Sequence, residues 1–199
     1  MKNPRLHLLL ILAGWAAAAA LFAGSGALAA LPRAIGPAVV AGLVIVFSIL
    51  VLGRGWVGAA VRSIGLRGIL ALHVARFVGF AFLWLEARGR LPSEFAERAG
   101  WGDVAAAAWA LLLLFAPRRS WVAAWAVFGL LDLGVAVGTA AWLNVVRPGA
   151  MAEISRLPLA LIPLWAVPVL AATSLLVLFR GPSIAASPGS PAWGARRAA

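Results

Sequence analysis

The chain contains no cysteine, no tyrosine, two histidines and six carboxylates in 199 residues. Absence of cysteine removes disulfides, thiol redox chemistry, thiolate-ligated metal and covalent haem attachment together. His7 and His73 fall at different depths of their helices, His7 at the very start of one, so a bis-histidine haem is not expected, nor any other cofactor. No nucleotide loop, zinc helix motif or serine elbow is present. The short supply of nucleophiles and metal ligands argues against an enzyme. Lysine occurs once against sixteen arginines. The net charge of +11 sits singly or in pairs beside apolar stretches. That pattern points to anchoring on anionic lipid and away from nucleic acid.

What the chain has in excess is apolar surface. Hydrophobic residues make up 64% of it, and mean hydropathy is +1.00. A water-soluble domain of this size does not carry so much. The expected fold is all-α, a polytopic membrane helix bundle of six transmembrane helices, at about 6–29, 37–53, 69–87, 99–116, 121–145 and 157–179. Residues 1–180 form one domain in this reading, with a disordered cytoplasmic tail over 181–199, rich in Pro, Ser, Gly and Ala.

The first segment has two readings. Its basic start, apolar run and Ala27-Leu28-Ala29 resemble a secretory signal with a cleavage site, while the eighteen residues from Leu6 to Ala23 favour a resident helix. Arg54 to Arg67 reads as a basic connector along the membrane surface. Pro92 opens a short interfacial helix over PSEFAERAG, with Asp103 as a cap or early residue of the fourth helix. Alternate loops carry ten and six Lys and Arg, which places both termini in the cytoplasm.

The stretch from Leu72 to Asp103 organises the rest. Residues 69–87 span about 28 Å at 1.5 Å per residue. Arg76 lies near the middle, where a lone guanidinium costs at least about 2.5–3.5 kcal/mol in lipid. His73, Arg76, Gly79, Leu83 and Glu86 share one helical stripe, the inward face. Asp132 is the only charge inside the fifth helix and lies at a similar depth, so an Arg76–Asp132 ion pair is expected, with His73 as a hydrogen-bonding neighbour. It serves helix packing alone or, in the functional reading, a proton or cation site. Asp132→Ala should harm folding, and Arg76→Ala in the same chain should restore part of the loss.

On the outer side Glu86 and Asp103 form a second polar candidate, among Glu94, Glu97, Glu153 and five arginines that read as a self-neutralising surface. Gly134 and Gly138 have the spacing that admits a close helix neighbour, which makes the fifth helix a central element buried on both sides. Pro158, Pro163 and Pro168 break the last helix. Pro163 and Pro168 strip the carbonyls of Leu159 and Leu164 of their usual donors. Broken helices of this kind mark binding sites in many transporters.

Arg76-Phe77-Val78-Gly79, Phe82-Leu83, Leu91-Pro92, Phe95-Ala96 and Ala99-Gly100-Trp101-Gly102-Asp103 together resemble a family of small uncharacterised bacterial multi-helix membrane proteins. Leu130-Leu131-Asp132-Leu133 and Leu157-Pro158, Ile162-Pro163 and Val167-Pro168 are similar as well. The resemblance implies the architecture, and joins the outer loop to Arg76 and Asp132 as one unit. Two functions remain open at this level: a small solute or ion transporter, or a non-catalytic accessory subunit of a larger membrane complex. Partners expected are the lipid bilayer of the bacterial inner membrane and either a second copy or another membrane subunit.

Overall fold

A computed structural model describes residues 4–32 and 35–185. Among these residues the fold is all-α, with six helices long and apolar enough to cross a membrane. The first spans Pro4–Gly24 and is followed by a turn and a short helix, Ala27–Ala30, so it is not the unbroken run over 6–29 that the composition suggests. The second is Ile35–Leu52, with Pro37 in its first turn, where a missing N–H removes no helical bond.

The third helix departs most from expectation. It runs from Trp56 to Glu86, taking in nearly all of the supposed surface connector. Ala60, Val61, Leu66, Ile69 and Leu70 fall on one face and are buried in the main core, while Arg54 and Arg67 point outward. Helical periodicity thus overrides the local basic charge. Gly65, at φ 76°, breaks the run into two pieces, a conformation open to glycine without steric cost.

The fourth helix, Ser93–Phe115, is also longer than expected and contains the proposed interfacial helix as its first turns. Phe95, Ala96, Ala99, Gly100, Asp103, Ala106, Ala107 and Ala110 recur at spacings of one, three and four and are all buried. Asp103 therefore sits midway along the helix and caps nothing; Pro92 holds the N-cap position. The fifth helix is Arg119–Val146. Before the last helix the chain makes a 3-10 turn at Ala152–Ser155 and a cis Leu157–Pro158 bond, so Pro158 lies ahead of the helix. A π-helical stretch, Ile162–Ala166, then leads into Val167–Ala185. The tail beyond 185 lies outside the described residues.

The sixth helix is the central one. It packs against the second, third and fifth, and Val169, Ala172, Leu176 and Val177 enter the main core with Trp125 and Leu113. The fifth is not buried on both sides. Gly134 and Gly138 are exposed, and a Cβ built on either meets nothing within 4 Å. The first helix joins the bundle through Leu8, Ala19 and Ala23, and the indole of Trp165 donates to the Leu12 carbonyl at 2.9 Å.

The loops after the first, third and fifth helices gather at one end. Arg90 and Arg156 both bond Glu153, at 2.7 and 3.1 Å, and Arg147 pairs with Glu94. Arg88 lies over the ring of Trp84, 3.7 Å from its centroid. This is the self-neutralising surface that the charge pattern suggested. At the other end, the guanidinium groups of Arg62 and Arg180 donate to the carbonyls of Gly53 and Leu52.

Candidate functional site

Three helices meet on one guanidinium. The third helix tightens into a 3-10 turn over Ala75–Val78, and Arg76 projects from that turn with 1% of its surface exposed. Its Nε donates to Asp103 Oδ1 at 2.6 Å, from the middle of the fourth helix. Its Nη2 donates to Asp132 Oδ2, from the middle of the fifth. Its Nη1 points at the carbonyl of Gly129, at 3.4 Å. The side chains of Asp103 and Asp132 are 11% and 8% exposed. The expected Arg76–Asp132 pair is present, and Asp103 is a third member that sequence reasoning had assigned to the outer surface.

Glycines clear the space for this cluster. A Cβ on Gly79 would stand 2.5 Å from the Gly100 carbonyl and 2.7 Å from Asp103 Cβ. One on Gly102 would run into the Asp132 carboxylate, and one on Gly129 would stand 3.0 Å from Arg76 Nη1. Glycine here is a matter of room: three helix backbones must approach closely for two carboxylates to reach one guanidinium.

The charge count decides the chemistry. One arginine against two carboxylates, all ionised, leaves one negative charge in excess in a buried place. An unbalanced charge away from water costs several kcal/mol. A proton or a bound cation completes the count. Among the described residues no group of three His, Cys, Asp or Glu gathers to hold a metal ion.

His73 lies one turn from Arg76 on the same face and is fully buried, yet its hydrogen bond goes elsewhere. Thr173 donates its hydroxyl to the Val169 carbonyl at 2.8 Å, so it accepts from His73 Nε2 at 3.0 Å. Nδ1 is left without a partner, and the ring packs edge-on against Trp125. His73 thus fastens the third helix to the sixth beside the cluster and is not a member of it. Ser174, next to Thr173, is also buried with an unpartnered hydroxyl. Glu86 is half-buried in the last turn of the third helix and is not among the partners of Arg76, which are Asp103, Gly129 and Asp132.

A cavity of about 110 Å³ opens beside the cluster, and Arg76 and Asp103 form part of its wall. The rest is apolar, with Phe82, Phe95, Leu133 and Trp165 prominent. The two stretches that depart from α-helical geometry face this space: the 3-10 turn supplies Ala75, Arg76 and Val78, and the π stretch supplies Ile162, Pro163, Trp165 and Ala166. In the π stretch the Leu159 carbonyl, stripped by Pro163, accepts from the Ile162 N–H at 2.9 Å. Such irregular turns adjust at lower cost than a regular helix and recur at functional sites.

A family model described as a domain of unknown function (DUF8737) matches residues 36–180. The chain belongs to this family. No curated protein and no solved structure matches the chain. The DUF8737 region takes in Arg76, Asp103, Asp132, their glycines and the whole cavity wall, and leaves the first helix outside.

Proposed function

We propose that the chain is a multi-pass integral membrane protein of the bacterial inner membrane, with both termini cytoplasmic, that carries an ion or small solute. The membrane assignment rests on six long apolar helices with outward residues such as Leu9, Leu21, Ile49, Phe115 and Phe179 left largely exposed. Such a belt is stable only in an apolar solvent. Orientation rests on the arginine bias between alternate loops. The observation that carries the transport reading is the buried Arg76–Asp103–Asp132 cluster, one positive charge short of neutrality and open to a cavity. Ionisable groups held at mid-depth and facing a space are a usual device for coupling a proton or cation to movement of a solute.

The test is flux. Purified protein in liposomes holding a pH-sensitive dye should dissipate an imposed pH gradient faster than empty liposomes, alone or on addition of a transported solute. Rates equal to those of empty liposomes under every solute tried would remove the transport reading. A second reading, an accessory subunit of a larger membrane complex, is favoured by the bare face of the fifth helix. Gly134 and Gly138 leave room there for another backbone, flanked by exposed Leu131, Val135 and Trp142. Native mass spectrometry of gently extracted protein separates the two: a different polypeptide in fixed ratio supports the subunit reading.

A further inference from the structure

The cavity beside Arg76 does not stand alone. A second, of about 90 Å³, shares Val137, Ala140, Ile154 and Pro163 with it. A third, of about 320 Å³, shares Gly36, Pro37, Asn144, Met151 and Ser155 with the second. The third lies against Pro32, Pro148 and Gly149, in the loops at the end where Glu153 gathers its arginines. Shared walls make the three neighbours in turn from that end to Asp103, and a passage between the inner two would run past the half-buried Ala140 and Pro163.

We propose that this passage admits a small amphiphilic organic cation, a quaternary or protonated amine with an apolar body of about one ring, which seats its charge beside Asp103. The inference rests on the transport reading and names the class of solute for it. Charge comes first. Each nitrogen of Arg76 already has an oxygen partner, and the cluster carries excess negative charge, so an anion would worsen the imbalance and a cation corrects it. Lining comes second. A hydrated inorganic ion needs several oxygen ligands in place of its water, and this wall is almost wholly apolar. An organic cation buries its body against that wall, which includes the aromatic rings of Phe82, Phe95 and Trp165, a residue type that attracts cations. Size comes third. An engineered apolar cavity of about 150 Å³ accepts benzene; the inner cavity, at about 110 Å³, is smaller, so a one-ring body would also occupy the adjoining cavity of about 90 Å³.

Proton and organic cation then compete for one negative charge. When the solute cation enters a cluster that holds a proton, that proton leaves, and the charge of the cluster is conserved.

The experiment is calorimetric titration of benzyltrimethylammonium into the purified full chain, in two buffers of different ionisation enthalpy. Tert-butylbenzene in micelles serves as the neutral control, and pH-gradient dissipation is measured on the same preparation. Saturable binding of the cation with proton release to buffer is expected, weakened at least about tenfold by Asp103→Asn. Ala140→Phe, which leaves every charge in place, should reduce binding by a similar factor by filling the passage. Equal binding of the neutral control, or cation binding unchanged in both variants, would overturn the proposal. No cation binding in a preparation that still dissipates the gradient overturns the solute class and leaves the transport reading standing. Neither binding nor dissipation removes both.

Discussion

Two sets of ion pairs in this molecule set arginine against carboxylate in opposite surroundings. At the loop end, Glu153 is shared by Arg90 and Arg156, whose side chains are 49% and 68% exposed. In the bundle, Arg76 is shared by Asp103 and Asp132 with 1% of its own side chain exposed. The first set has an excess of arginine in water, the second an excess of carboxylate in an apolar interior. Water and salt relieve the first imbalance at almost no cost. The second has no such relief, and a proton or a bound cation would balance it. Surroundings, and not pairing geometry, separate a surface feature from a site.

Substitutions that break this contrast fall in a clear order. Arg76→Gln strands two carboxylates among apolar helices and should cost about 3–5 kcal/mol, read as loss of folded protein or a steep fall in thermal midpoint in detergent. Adding Asp103→Asn should restore part of that loss, because the two act on one cluster. A double variant worse by the full sum would show that they are not partners. Gly102→Ala drives a methyl into the Asp132 carboxylate and should cost about 1–3 kcal/mol, by the same assay. Gly134→Ala, on the bare face, should cost nothing measurable in the isolated protein.

Thr173→Val leaves His73 Nε2 buried without an acceptor and should cost about 1–3 kcal/mol. His73→Leu in the same chain should recover part of it. Among the ion-pair substitutions Glu153→Gln should cost least, no more than about 1 kcal/mol, with the difference vanishing in high salt. A loss from Glu153→Gln as large as that from Arg76→Gln would erase the distinction between the two regions.

The link between Arg76 and Asp132 was legible because each is the lone charge at mid-depth of a long apolar run, and each needs an opposite charge. Asp103 was harder to place. Glu94, Glu97 and Arg98 lower the hydropathy before it, so the apolar run begins at Ala99 and puts Asp103 at a helix start. The periodicity from Phe95 to Ala110 carried the right answer, since a helix entered at Ser93 turns Asp103 inward. The same competition hid the start of the third helix, where Ala60, Val61 and Leu66 keep the core-facing period through a basic stretch. Glycines misled for another reason. Gly134 and Gly138 have the familiar packing spacing yet face outward, while the tight approaches at Gly79, Gly100 and Gly102 come from three helices converging on a charge. Pairwise spacing along one helix holds no record of that convergence.

Asp132→Asn offers the sharpest single measurement. Were Asp132 the sole partner of Arg76, losing it would strand the guanidinium and harm the fold. With Asp103 bonded to Nε, the substitution leaves a neutral Arg76–Asp103 pair, so the fold should survive while the excess charge disappears. Thermal midpoint and pH-gradient dissipation measured on one preparation of Asp132→Asn in liposomes should give near wild-type stability and a rate fallen to that of empty liposomes. A stable variant that dissipates the gradient as fast as wild type would show that the buried excess charge only packs helices together.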